Sequence, residues 1–113
     1  MYRSFGRLDD AIEECKHAIE VDPAFGNPYN DIGAYLITKG ELDSAVEWLE
    51  KAKRAPRYEP RHYPYMNLAR LYEQKGMLTK AIAELEDGLA LASDQESAEA
   101  IGQQLQQLRS TLN

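Results

Sequence analysis

A single cysteine in 113 residues excludes an internal disulfide framework and fits a reducing, cytoplasmic setting. Basic charge is scarce as well: 13 Lys and Arg stand against 19 Asp and Glu, a net charge of −6. A phosphate backbone rewards a basic face, so this balance disfavours general nucleic-acid binding. No apolar run approaches the ~18–20 residues needed to cross a bilayer, and the first residues hold no apolar h-region that would direct secretion. Catalytic equipment is missing too. His17 and His62 lack a neighbouring Cys/His/Asp set at metal spacing, and no glycine-rich phosphate loop follows a strand. No Ser/His/Asp set has a pocket to occupy. The acidic pairs Glu13-Glu14 and Glu86-Asp87 fall on the polar sides of helices, where they read as a solvated face. These absences point to a protein with no enzymatic role, no metal and no cofactor.

What the chain does hold is a repeat. Gly6-Arg7-Leu8, Gly40-Glu41-Leu42 and Gly76-Met77-Leu78 share one pattern, the first two 34 residues apart and the next two 36. Three residues after each leucine comes an alanine (Ala11, Ala45, Ala81), and four further on an apolar residue (Cys15, Leu49, Leu85). A period in this range marks stacked helical units, which work by presenting a surface. Cys15 falls in the same column as two leucines and reads as a small core residue rather than a nucleophile.

Helical periodicity runs nearly throughout. Tyr29, Ile32, Gly33 and Leu36 lie on one helical face, and Tyr65, Leu68, Ala69 and Tyr72 repeat it. Leu42, Ala45, Val46, Leu49 and Ala52 form a second stripe, repeated by Leu78, Ala81, Ile82, Leu85 and Leu89. Gly40 and Gly76 suit the left-handed position that ends a helix. Pro28 and Pro64 sit in first turns, where a missing N–H costs nothing, while Pro23, Pro56 and Pro60 fall in connections. The small residues Gly33/Ala69 and Ala11/Ala45/Ala81 let paired helices approach closely.

The ends are less regular. Gly6 is expected to close the remnant of a first helix, with Tyr2 in the column of Leu36 and Tyr72. That leaves Leu8, Ile12, Cys15 and Ile19 as a partly uncovered apolar face. Near the other end, Ser93-Asp94-Gln95-Glu96 reads as a capping box opening a last helix. Its stripe of Ala98, Ile101, Gly102 and Leu105 is backed by glutamines, as a solenoid's closing helix requires.

These residues resemble the tetratricopeptide repeat (TPR) family. That family has a bulky aromatic, then leucine-glycine, then tyrosine in its first helix, and alanine, a large residue and alanine in its second. Tyr29 to Gly33 and Tyr65 to Tyr72 fit the first helix. Ala45, Leu49 and Ala52 fit the second, as do Ala11, Cys15, Ala18 and Pro23 of the first, partial repeat. The resemblance implies an all-α, right-handed TPR-type helical-repeat solenoid in a single domain. Its expected parts are a partial repeat over 1–25, full repeats over 26–61 and 62–94, and a capping helix over 95–113. Departures are Leu36 in place of tyrosine, Gly88 in place of alanine, Ser93 in place of the closing proline, and a connection after Ala52 that is two residues longer than usual.

The family is similar in mostly binding peptides or protein segments on a concave surface lined by the leading helix of each pair. Carried onto this sequence, that surface is Asn27, Asn30, Asp31 and Ala34, with Ile37, from one helix. From the other come Tyr63, Met66, Asn67 and Arg70, with Glu73. Asn30 and Asn67 can bond a peptide backbone as donor and acceptor, Tyr63 and Met66 offer adaptable apolar contact, and Arg70 can take a carboxylate. Tyr58 and Tyr63, beside the basic connection, are further candidates to face a ligand. The chaperone-docking subclass of the family is not matched, because Asp31 replaces a neutral asparagine and the clamp lysines are missing. The implied function is a non-catalytic protein-interaction module whose partner is a protein or peptide. The alternatives are a homodimer that uses the uncovered first half-repeat, or a fragment of a larger TPR protein. A weaker possibility is nucleic-acid binding by residues 51–62, where Lys51, Lys53, Arg54, Arg57 and Arg61 face one acid, Glu59.

Overall fold

A computed structural model describes the backbone of residues 2–112 and the side chains of residues 6–112. Among the described residues the regular elements are six helices: α1 (Tyr2–Val21), α2 (Asn27–Lys39), α3 (Leu42–Arg54), α4 (Tyr63–Gln74), α5 (Leu78–Leu91) and α6 (Gln95–Leu112). No strand occurs among the described residues beyond one isolated bridge between Phe25 and Arg57. The all-α helical-repeat class expected from the periodicity is the class observed. The chain divides into two compact units, Met1–Glu59 and Pro60–Asn113.

In the first unit α2 packs against both α1 and α3. Ile32, Gly33 and Leu36 of α2 are buried, as are Ala45, Leu49 and Ala52 of α3. A buried leucine or isoleucine contributes about 1.5–3 kcal/mol relative to exposure, and the helical spacing of these residues puts that gain on one seam. In the second unit α5 packs against α4 and α6. Its core is Ala69, Ala81, Leu85, Ile101, Leu105 and Leu108, with Met66, Tyr72, Leu78, Ile82 and Ala92 packed around it.

The two helical hairpins turn by the same joint. Gly40 has φ 86° and Gly76 φ 77°, a left-handed conformation that glycine adopts without Cβ strain. The Gly40 N–H donates to the Ile37 carbonyl (3.0 Å) and the Glu41 N–H to that of Leu36 (2.9 Å). Gly76 repeats this with Glu73 (3.0 Å), and Met77 with Tyr72 (2.8 Å). Paired bonds of this kind satisfy carbonyls that a helix end otherwise leaves open.

Gly6 behaves differently from its two counterparts. Helix α1 runs through it without a break, and it has no positive φ. Glycine permits the left-handed turn but does not impose it; inside a helix it costs only about 1 kcal/mol against alanine. The expected position of Tyr2 in the aromatic column lies outside the described side chains. The last helix is capped one residue later than the Ser93 reading. Asp94 accepts from the Ser97 N–H (2.7 Å) and from its hydroxyl (3.2 Å), and the Ala98 N–H donates to the Asp94 carbonyl (3.1 Å).

The long connection after α3 is held rather than loose. The Gly26 N–H donates to the Arg57 carbonyl (2.8 Å), and the Arg57 N–H to that of Ala24 (2.9 Å). The residues that lengthen this connection thus pair with the connection between α1 and α2, so both segments of irregular backbone find partners.

Candidate partner-binding surface

The leading helices α2 and α4 both carry proline in the first turn. On α2, Asp31 is exposed, Asn27 and Ala34 are half-buried, and Asn30 is buried. Asn30 was expected to project from this face. Instead it sits in the first turn against Gly26, whose carbonyl accepts its backbone N–H at 3.3 Å. Ile37 is also withdrawn, at 4% exposure, as an apolar β-branched side chain beside a packed seam should be. The Asn27 Oδ1 is buried and has no hydrogen-bond partner among the described residues.

On α4, Tyr63 is 45% exposed and Arg70 is exposed, while Met66 and Asn67 are half-buried. Met66 leans onto the core of its unit. Glu73 accepts from the Gln104 amide at 2.9 Å. The Tyr63 ring stacks on His62, centroids 4.4 Å apart and tilted by 34°. His62 itself is 1% exposed, and neither ring nitrogen has a hydrogen-bond partner among the described residues.

Other expectations change with the geometry. Tyr58 is only 3% exposed, because its ring lies over Gly26, where an added Cβ would meet it at 2.6 Å. It faces the interior. Ile12 is also buried, so the uncovered apolar face of α1 is narrower than its sequence stripe suggests. Leu8, Cys15 and Ile19 are half-buried. The basic segment is largely engaged within its own unit. Arg57 pairs with Asp22 and lies over the Phe25 ring at 5.7 Å, Lys53 bonds Glu50 at 3.3 Å, and Lys51 sits over Trp48 at 4.4 Å. That pairing lowers the free positive charge a nucleic acid would need.

A cleft that the sequence reading missed lies between α1 and α2. Its walls include Glu14, Cys15, Phe25, Asn27, Asp31 and Tyr35. Partial burial raises the Asp31 carboxyl above its ordinary range. Burial, with added repulsion from Asp31 and Glu14, does the same to the Cys15 thiol. Tyr35 is raised by burial and by the charges of Asp31, Cys15 and Glu14. Each shift has the sign expected where negative charge is costly to add. No spacing in the sequence reveals such a site, since its acids come from two different helices.

Among the described residues no group of His, Cys, Asp and Glu is placed to hold a metal ion, and no helix is long and apolar enough to cross a membrane.

Comparison with known proteins agrees with this architecture. A tetratricopeptide repeat family model matches residues 1–25, 27–57 and 63–95. Over 50 residues the chain is 36% identical to small glutamine-rich tetratricopeptide repeat-containing protein 2 of Mycosarcoma maydis. That match covers 44% of this chain and 14% of the relative, so the chain spans a small part of that protein's length. Repeats of this family generally mediate protein–protein interaction and are typically non-catalytic. With three matched segments, two helical hairpins each turned by its own left-handed glycine, and a polar-backed last helix, the chain belongs to the tetratricopeptide repeat family.

Proposed function

We propose that this chain is a non-catalytic module that binds a peptide or protein segment through the faces of α2 and α4 that the family uses as its concave surface. The contributing residues are Asn27, Asp31 and Ala34 on α2, and Tyr63, Met66, Asn67 and Arg70 on α4, with Asn30 shaping the first from beneath. One observation carries the reading: the exposed Tyr63 ring is stacked on a buried histidine. A rigid aromatic anchor loses little conformational entropy on binding, and such residues dominate interface energetics. Arg70, on the same helix and open to solvent, adds a planar donor for a carboxylate or carbonyl. The single cysteine fits a cytoplasmic setting.

The test is a pull-down or titration with candidate partners, comparing the native chain with Tyr63→Ala and Arg70→Glu. Loss of binding with an unchanged helical spectrum supports the reading. Full binding by both variants sinks it.

A further inference from the structure

The basic run at the end of α3 holds two kinds of cation. Lys53 bonds Glu50, and Arg57 pairs with Asp22. Lys51 and Arg54 are exposed, and neither forms an ion pair among the described residues. Both line a cleft of about 370 Å³ where the end of α1, the start of α2 and the last turn of α3 meet. Its other walls include Ile19, Pro23, Tyr29 and Trp48, and no acidic residue lines it. The walls run from Ile19 to Pro56, wholly within the first unit, so neither end of the chain contributes one. The seam between the two helices of a repeat lies elsewhere. It passes through Gly33 and Leu49, and the α1 counterpart of Leu49 is Cys15, which is not on this cleft.

The apolar part of the cleft is held in shape. The Tyr29 hydroxyl donates to the Pro23 carbonyl at 2.8 Å, which fixes the ring. Trp48 lies beside it, centroids 6.2 Å apart and tilted by 36°. The Lys51 ammonium stands 4.4 Å from the Trp48 centroid and that of Lys16 6.0 Å from it, contacts that orient the cations on the ring. Ile19, Tyr29 and Trp48 are each half-buried, so each offers a surface already in place. Tryptophan, tyrosine and arginine are the residue types that dominate binding energy, most of all when they are ordered beforehand.

Charge selects the rest of the occupant. Two cations with no acid on the walls suit a pair of carboxylates. They are too few for a phosphate backbone on a chain of net charge −6, because such a backbone rewards a longer basic track.

We propose that this cleft binds an acidic linear segment of a partner protein, with one large apolar side chain against Trp48 and Tyr29 and adjacent carboxylates on Lys51 and Arg54. The site shares no residue with the α2 and α4 faces proposed above and does not rest on them.

Trp48 is the single tryptophan of the chain, so its emission reports on this cleft alone. The probe is a capped peptide, Gly-Asp-Glu-Phe-Asp-Glu-Gly, titrated into the 113-residue chain in about 0.1 M salt, where charges more than about 10 Å apart are screened. It should shift the emission along a saturable one-to-one curve. Replacing its phenylalanine by alanine should weaken binding about fivefold or more, and replacing its acids by lysine should abolish binding. Arg54→Glu should weaken binding about tenfold. Arg7→Glu, the same change of charge about 18 Å along α1 from Ile19, should weaken it less than about twofold. Both positions are exposed, so the helical spectra should stay native; if Arg54→Glu loses its spectrum, Lys51→Glu takes its place. Absence of a saturable shift overturns the proposal, as do equal losses at Arg54 and Arg7. A single-stranded oligonucleotide that displaces the peptide and binds more tightly would make this a nucleic-acid site. A concentration-dependent dimer abolished by Arg54→Glu would make a second copy the occupant. Either result overturns the proposal equally.

Discussion

Gly33 and Leu49 meet where α2 crosses α3: a Cβ added to Gly33 would fall 2.5 Å from Leu49 Cδ2 and Cγ. Leu49 is fully buried and has no solvent to retreat into. Gly33→Ala gains about 1 kcal/mol of helix propensity but incurs about 1–3 kcal/mol of overpacking. Denaturant unfolding should show a net loss of up to about 2 kcal/mol. Gly102, inside α6 with nothing within 4 Å of its added Cβ, is the control. Gly102→Ala should raise stability by up to about 1 kcal/mol. If both changes move stability the same way, the close contact does not govern the α2–α3 seam.

Gly40 presents the opposite case, with ample space and a demanding backbone. Nothing lies within 4 Å of its added Cβ, yet its φ is 86°. Gly40→Ala should therefore lower stability by about 1–2 kcal/mol through left-handed strain alone. A thermal melt that leaves the variant at native stability would mean the joint tolerates another turn.

Asp31 gives a pH dependence of definite sign. Its carboxyl is raised in the folded chain by burial, so ionisation opposes folding. That penalty is fully present above the folded pKa, fades as pH falls through it, and is gone below the unfolded value of about 4. Asp31→Asn should thus stabilise the chain at pH 7, with the advantage vanishing near the unfolded pKa. Denaturant midpoints at the two pH values measure this. A variant less stable than the native chain at pH 7 would contradict it.

Asp94 titrates the other way. Hydrogen bonds from the Ser97 backbone and hydroxyl hold its carboxyl below the ordinary range, with a smaller contribution from His62. Its cap contributes above the unfolded pKa of about 4 and is lost as pH falls through the lowered folded value. Asp94→Ala should speed amide exchange in the first turn of α6, most of all at Ser97, while Ser93→Ala leaves it unchanged. The reverse ranking would restore Ser93 as the cap.

Much of this was legible in the chain itself, because columns such as Ala45/Ala81 and Leu49/Leu85 record one seam more than once. The turns at Gly40 and Gly76 were legible for the same reason. Gly6 was not, since the residue that allows a left-handed turn is also tolerated within a helix. Ser93 and Asp94 are both competent caps, and only the hydrogen bonds separate them. The candidate surface was less readable. Asn30, Ile37 and Tyr58 lie at helix edges or in a connection, where one residue's rotation decides between solvent and core. The acidic cleft needs Glu14 and Asp31 brought together from separate helices, which no local pattern encodes.

The bridge between Phe25 and Arg57 closes the α2–α3 hairpin at its open end, opposite the Gly40 turn. The hairpin is then a loop fastened at both ends, and neither helix can fray from its connection without breaking the hydrogen bonds that the Gly26 and Arg57 N–H groups donate. Those two amides should exchange with solvent only when the hairpin opens as a unit, which makes them reporters of its cooperative opening rather than of loop motion.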